Sequence, residues 1–243
     1  MIMEPRTSVI DKRLDAIDRI IAVASGKGGV GKSLVASALA LSLAKKGYKV
    51  GLLDLDLYGP SSHIILGATK LFPKEENGLI PPIVHGIKFM SIVFFTEEKP
   101  SPFRGIDITN IILELLAITQ WGRLDYLIID MPPGIGDETL DVMRFIKKSE
   151  FLVVTIPSKV AMGAVHKLLV LLKELKRPVL GVLENMVMND SSSIKKEVQA
   201  LKLPYLGKVK FDDNLEAAIG DPNLLSTTTF MKELEGIIKK MRL

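Results

Sequence analysis

Short runs of apolar residues rich in Ile, Val and Leu alternate along this chain with longer stretches whose apolar side chains recur every three to four positions. Runs at 20–24, 49–53, 86–93, 126–129, 151–156, 179–183 and 205–209 read as buried strands. Between them, 34–46, 107–120, 138–148, 160–175, 191–201 and 229 to the end carry helical periodicity. Strands apolar on both faces, separated by helices, predict an α/β fold: a mostly parallel sheet with helices on both faces. Two stretches read as irregular connections: 67–85, with Pro73, Gly78, Pro81 and Pro82, and 94–105. Ahead of the first strand, Ile10, Leu14 and Ile17 share one helical face behind a start signal at Ser8 and Asp11. That helix is expected to pack on its own domain rather than dock another protein. The division is therefore an N-terminal extension over 1–18 and a single domain over 19–243.

Composition narrows the function. A chain of 243 residues with 47% hydrophobic content can bury one sizeable core. The formal charge of +4 is scattered, with no basic run of the kind that marks a nucleic-acid arm, so nucleic acid is not an expected partner. With no cysteine, disulfides, thiolate zinc sites and cysteine-held iron–sulfur clusters are excluded within these residues. No apolar run approaches the roughly 20 residues that span a bilayer, and the charged first 19 residues do not read as a secretory leader. The expectation is a cytoplasmic protein.

The sharpest chemical signal lies directly after the first strand. Gly26-Lys27-Gly28-Gly29-Val30-Gly31-Lys32-Ser33, followed by Leu34 at the head of a helix, satisfies the phosphate-loop pattern at Gly26, Gly31, Lys32 and Ser33. Glycines let the backbone aim several N–H groups at one anion, and the helix that follows adds the positive end of its dipole. Lys32 is placed to reach the β and γ phosphates and the Ser33 hydroxyl to hold magnesium. Two further strands end in acids. Alternation puts Asp54 and Asp56 on the same side after 49–53, and Asp130 closes the apolar run Leu127-Ile128-Ile129. Ser33 and Asp130 form an oxygen-only set suited to magnesium. The guanine-selective Asn-Lys-x-Asp pattern is missing; Asn185 can donate and accept at once, as an adenine edge requires.

The loop Gly26–Ser33, with its extra lysine, resembles the deviant P-loop of the MinD/ParA/Mrp ATPases, a SIMIBI-like group of P-loop NTPases. The resemblance implies ATP and magnesium as cofactors and a homodimer formed on ATP binding. In that family the lysine matching Lys27 crosses the interface to the phosphates of the other subunit. Asp54 matches the acid near magnesium, Asp56 the acid that positions or activates water, and Asp130 the Walker B acid, followed by the second switch at Pro132-Pro133-Gly134. Asn185 matches an asparagine that contacts adenine, and the backbone near Lys210 would close the adenine pocket. The set implied for nucleotide is Gly26, Lys27, Gly28, Gly29, Val30, Gly31, Lys32, Ser33, Leu34, Asn185 and Lys210, with Lys27, Lys32 and Asp56 catalytic.

Tyr58-Gly59-Pro60-Ser61 and Glu184-Asn185-Met186 resemble the Mrp branch. Its cluster-carrying members hold iron and sulfur between subunits with a Cys-x-x-Cys pair just beyond the second segment. Here that stretch reads Val187-Met188-Asn189-Asp190-Ser191-Ser192-Ser193. A cysteine-free archaeal subgroup, the MinD/Mrp-type HypB proteins, is similar at 51–56, at Pro81-Pro82 with 85–90, and at Pro157-Ser158-Lys159. The resemblance implies nickel insertion for [NiFe]-hydrogenase maturation, with a small HypA-like nickel and zinc metallochaperone as partner. His63, His85 and His166 form no spaced pair, so nickel is assigned to that partner. One alternative is an iron–sulfur assembly ATPase whose cluster ligands come from another protein. Another is a MinD-like spatial regulator, with a C-terminal stripe of Phe230, Leu234, Ile237, Ile238 and Met241 meeting a membrane. Packing of that stripe on the protein's own core is the preferred expectation, and DNA partitioning is the least expected role.

Overall fold

The computed structural model describes residues 5–69, 71–96, 105–188, 193–241 and 243. In chain order, α1 (Arg6–Asp15) leads into β1 (Ile17–Ser25), α2 (Lys32–Lys45), β2 (Val50–Asp54) and the short α3 (Ser62–Ile65). Two-residue strands β3 (Lys74–Glu75), β4 (Leu79–Ile80) and β5 (Ile83–Val84) precede β6 (Ile87–Ser91). Then come α4 (Val93–Thr96), α5 (Gly105–Ile118), β7 (Leu124–Asp130), α6 (Asp137–Phe145), β8 (Ser149–Thr155) and α7 (Lys159–Glu174). The chain ends with β9 (Val179–Val187), α8 (Ser193–Ala200), β10 (Tyr205–Lys210), a 3-10 turn Glu216–Ala218, α9 (Pro222–Leu225) and α10 (Thr229–Lys240).

Among the described residues one sheet of eight strands runs in the order β10-β9-β8-β1-β7-β2-β6-β5. Its pairings are parallel except β5 with β6, which is a small hairpin. From β1 the chain moves toward the β5 edge through α2, and from β8 it moves the other way through α7 and α8. Right-handed crossovers therefore put α2 on one face and α7 and α8 on the other. Strands β1, β2, β7 and β8, covered on both sides, are buried almost throughout, which is why they read as continuous apolar runs. Both sheet edges are protected against pairing with another chain. At β10, Lys240 Nζ donates to the Leu206 carbonyl (3.1 Å) and Glu233 accepts from the Lys210 amide (2.7 Å). At β5, Pro81 and Pro82 lead into the strand.

Several boundaries differ from the sequence reading for physical reasons. Helix α1 does pack on its own domain, burying Ile10 and Leu14 beside α5, where Arg13 Nε donates to the Ala117 carbonyl. Ile17 is not on its face; it opens β1 by pairing with Leu124, so a division at 18/19 falls inside a strand. The stretch expected to be wholly irregular, 67–85, holds the β3–β4 pair and β5, while the run 86–93 stops at Ser91 and turns into α4. Strand β9 extends past 183 to Val187, bringing Asn185 into the sheet. Residues 189–192, within the segment that would carry cluster ligands, lie outside the described residues, as do 97–104 of the second expected connection.

The C-terminal stripe faces inward. Phe230, Met231, Leu234, Ile237 and Ile238 of α10 are buried against β10 and α2, with Met241 beside them. Those side chains supply core area rather than a face for lipid. No helix among the described residues is long and apolar enough to cross a membrane.

Candidate active site: a phosphate cradle beside two buried carboxylates

The loop 26–31 leaves β1 at the carboxyl edge of the sheet, between β7 and β8, and delivers the chain into α2. Its glycines are there for two distinct reasons. Gly29 and Gly31 take left-handed backbone (φ +76° and +80°), a conformation costly for other residues. Gly26 takes no unusual φ, but a Cβ there would stand 2.5 Å from the Ala164 backbone, so glycine lets α7 lie against the loop. Ser25 Oγ donates to the Lys27 carbonyl (2.9 Å) and steadies the entry. Helix α2 starts on Gly31 with no side-chain cap and no acid in its first turn, so its leading N–H groups and dipole stay available to an anion.

Lys32 is buried, at 5% exposure, and its ammonium donates to Asp130 Oδ1. Ser33 Oγ lies 3.4 Å from the same nitrogen and Asp56 Oδ2 3.8 Å from it. Asp54 and Asp130 are register partners on β2 and β7, and both are fully buried. Asp54 accepts from the Asp56 amide at Oδ1 (3.1 Å) and from the Ser62 amide at Oδ2 (3.3 Å). Asp130 Oδ2 accepts from Ser62 Oγ (3.2 Å). Burial and the neighbouring charge of Asp130 push Asp54 well above the usual carboxylate range, against the pull of its N–H donors. Burial also raises Asp130, opposed by the Lys32 ammonium.

Two buried acids facing each other are a place where a cation relieves repulsion, and the donors are all hard oxygens, so the set suits magnesium. No three His, Asp or Glu side chains among the described residues converge as a ready-made cage. Magnesium would accordingly take its remaining ligands from phosphate and water, as this small cation does.

A cavity of about 520 Å³ opens over these groups. Lys27, Gly28, Gly29, Gly31, Lys32, Ser33, Leu34 and Asp56 line it, together with Gly59, Ser61 and Pro133. Of the residues singled out from sequence, Gly26, Val30, Asp54 and Asp130 lie beneath the lining, and neither of the two expected to meet the base reaches it. Asn185 sits behind the loop at 2% exposure, donating from Nδ2 to the Val30 carbonyl (3.0 Å), so its carboxamide braces the cradle from below. Lys210 is exposed, and its amide is taken by Glu233. The wall that completes the cavity begins one residue further on, with Phe211, Asp212, Asp213, Leu215, Glu216 and Ile219, and adds Met186 and Ile65. Asp212 is bound by the amides of Phe230 (3.0 Å) and Asn214 (3.1 Å), which hold its carboxyl below the usual range and fasten this wall to the start of α10. No motif announced the wall. A cluster of two aspartates and an asparagine just after the last strand, at the sheet edge where ligands bind, was the available signal.

The histidines lie apart from the cradle's lining. His63 is buried in α3, His85 Nε2 faces the Leu66 carbonyl (2.9 Å), and His166 Nδ1 lies 2.7 Å from Glu197.

A glycine loop joining a central parallel strand to an uncapped helix, with acids ending the next two strands on one side, β7 and β2, defines a P-loop NTPase. The family model described as "ParA: NUBPL iron-transfer P-loop NTPase" matches residues 16–239, and the chain belongs to this family. It is 42% identical over 179 residues to the iron–sulfur cluster carrier protein of Aquifex aeolicus, covering 72% of this chain and 49% of that protein. Over 181 residues it is 40% identical to the iron–sulfur cluster carrier protein of Pseudomonas fragi, covering 73% and 63%. The chain thus spans about half to two thirds of these curated relatives. Among solved structures, a nucleotide-binding protein of Archaeoglobus fulgidus, in complex with ADP and with cobalt found in it, is 34% identical with a TM-score of 0.78. That match covers 91% of this chain and 93% of that one. MinD of Pyrococcus horikoshii, complexed with Mg-ADP, shares the fold at 20% identity and a TM-score of 0.70, over 91% and 95% of the two chains.

Proposed function

We propose that this chain is a cytoplasmic ATPase of metallocentre assembly that binds ATP with magnesium over Gly26–Ser33, hydrolyses it slowly, and works as a pair of identical chains. The observation that carries the reading is the placement of Lys32 between the loop and the acids at the ends of β2 and β7. In this reading the Lys32 ammonium passes from Asp130 to the β and γ phosphates, while Asp130 and Asp54 turn to the metal's ligand shell. Magnesium, when bound, neutralises phosphate charge as it develops. Asp56 orients the attacking water, and Lys27 reaches the phosphates of the paired chain. Asn185 supports the base side by holding the loop's shape, and the Phe211–Ile219 wall encloses the base.

For the destination, iron–sulfur cluster assembly takes precedence over nickel insertion, because the curated relatives carry that name. The 243 residues contain no cysteine, so the cluster is cargo held by thiolates of another protein, and this chain supplies the nucleotide-driven change of shape. The same lack of cysteine is what favours nickel insertion with a metallochaperone as the second reading. Anaerobic reconstitution decides the first point: the chain alone should take up no stoichiometric cluster, and one cluster per pair on this chain alone would overturn the assignment. Adding ATP should change the rate at which a cysteine-bearing carrier delivers its cluster to an apo-acceptor. No change in that rate, combined with ATP-dependent co-elution with a nickel metallochaperone, would move the conclusion to the second reading.

Pairing has its own check. Lys27 lines the cavity with no carboxylate partner among the described residues, whereas Lys32 is committed to Asp130. Lys27→Ala should keep ATP binding and fail to pair: light scattering with ATP should give the mass of one chain, where the parent gives two. Equal masses for variant and parent would remove Lys27 from that role.

A further inference from the structure

Ser62 is fully buried at the first position of α3, and it bridges the two carboxylates. Its amide holds Asp54 Oδ2 (3.3 Å) and its hydroxyl holds Asp130 Oδ2 (3.2 Å). Asp130 is consequently gripped from both sides, by Lys32 at Oδ1 and by Ser62 at Oδ2. Ser62 also ends the loop 55–61, which carries Asp56; inside that loop Asp56 Oδ1 accepts from the Gly59 amide (3.1 Å). Beyond Ser62, α3 reaches the opposite wall of the cavity, where the Ile65 carbonyl accepts from the Gly220 amide (3.2 Å). The approach there is so close that a Cβ on Gly67 would meet the Gly220 carbonyl oxygen at 2.3 Å.

The geometry points to Ser62 as a positioning residue: its hydroxyl ties Asp130 to the loop that carries Asp56, and through α3 to the far wall. Movement of the Asp130 carboxylate is thereby passed to the loop over the phosphates. The inference rests on the ATPase reading and deepens it, since the hydrogen bonds of Ser62 to the site go to Asp130 and Asp54 and, among the described residues, none goes to the loop 26–33. Removing the hydroxyl leaves a buried carboxylate oxygen without its donor and frees the start of α3 from one of its two anchors.

The test uses Ser62→Ala and Ser62→Cys in the full chain; cysteine keeps the volume but donates weakly. Both should lower kcat about tenfold and raise the magnesium concentration for half-maximal rate several-fold, the size expected for one lost hydrogen bond to a charged group. ATP affinity without magnesium should stay within about twofold, because the cradle itself is untouched. Hydrogen–deuterium exchange over 55–66 in nucleotide-free protein should be faster in both variants. Ser62→Ala behaving as the parent in rate, magnesium dependence and exchange would overturn the proposal. Parent-like values restored by Ser62→Cys would do the same, since volume alone would then suffice. If Ser62→Ala does not fold, Ser62→Cys carries the test. If the parent hydrolyses no ATP, the ATPase reading fails, and the exchange measurement still decides whether Ser62 anchors the loop.

Discussion

Replacing Lys32 with alanine should reduce ATP affinity by about a hundredfold or more and make the stability of the protein fall further with rising pH than it does in the parent. The first effect follows from the loss of charge-assisted hydrogen bonds to two phosphates, each worth about 1.5–3 kcal/mol. The second follows from what stays behind. Asp130 and Asp54 are fully buried register partners, and Asp130 is already raised by burial with Lys32 opposing that rise. Without the ammonium, Asp130 should rise further above the value it has in the unfolded chain. Between those two values the folded variant binds a proton that the unfolded chain does not, so unfolding becomes easier with each step up in pH. Above the raised value the buried charge is unpaired, and the loss approaches the ~3–5 kcal/mol typical of breaking a buried pair. Calorimetric titration with ATP and thermal melts at mildly acid and mildly alkaline pH check both parts. Binding within a few-fold of the parent, together with melting temperatures lowered equally at both pH values, would show that Lys32 serves neither purpose.

The fold was legible where each element is long enough to impose its own period. Continuous apolar runs announced β1, β2, β7 and β8 because both faces of these strands are covered. The two-residue strands β3, β4 and β5 and the four-residue helices α3, α4 and α9 span about one repeat each, too little to show a period; pairing forms the strands, and α9 has a cap. In α9 the cap is Asp221, which accepts from the Asn223 and Leu224 amides. The same contrast governs the site. The cradle is a local motif, and its glycines, Lys32 and Ser33 could be read in a single window. Asp54 and Asp130 were legible from their position at strand ends, and Asp56 from its place two residues beyond Asp54, although β2 stops before it. Ser62 was not, because its importance arises only when β2 lies beside β7 and sets Asp54 opposite Asp130. Of the cavity wall at 211–219, only its start beside Lys210 was indicated, through the family resemblance; the rest was not, since a return from the edge strand to the centre leaves no periodic trace. Asn185 was found, but its carboxamide points to the back of the loop, a direction fixed by the extension of β9 past 183.

Asp56→Asn should separate binding from chemistry. The carboxylate lies at the mouth of the cavity with 14% side-chain exposure, 3.8 Å from the Lys32 ammonium. Its two oxygens have different tasks. Oδ1 receives the Gly59 amide (3.1 Å) and shapes the loop, a bond that an asparagine oxygen can keep. Oδ2 faces Lys32 and the cavity, where its charge can orient water. Asparagine should therefore preserve the fold and hold ATP at least as tightly as the parent, because a negative charge beside a polyanion has been removed. Turnover should fall by about 10²–10³-fold, in the range lost when a positioned acid–base group is neutralised. Phosphate release at saturating ATP, read beside ATP affinity in the same buffer, measures both quantities. Unchanged turnover would take Asp56 out of the water-orienting role. A parallel fall in affinity and rate, relieved by excess magnesium, would instead make Asp56 part of the metal's ligand shell and leave the orientation of water to another group of the cradle.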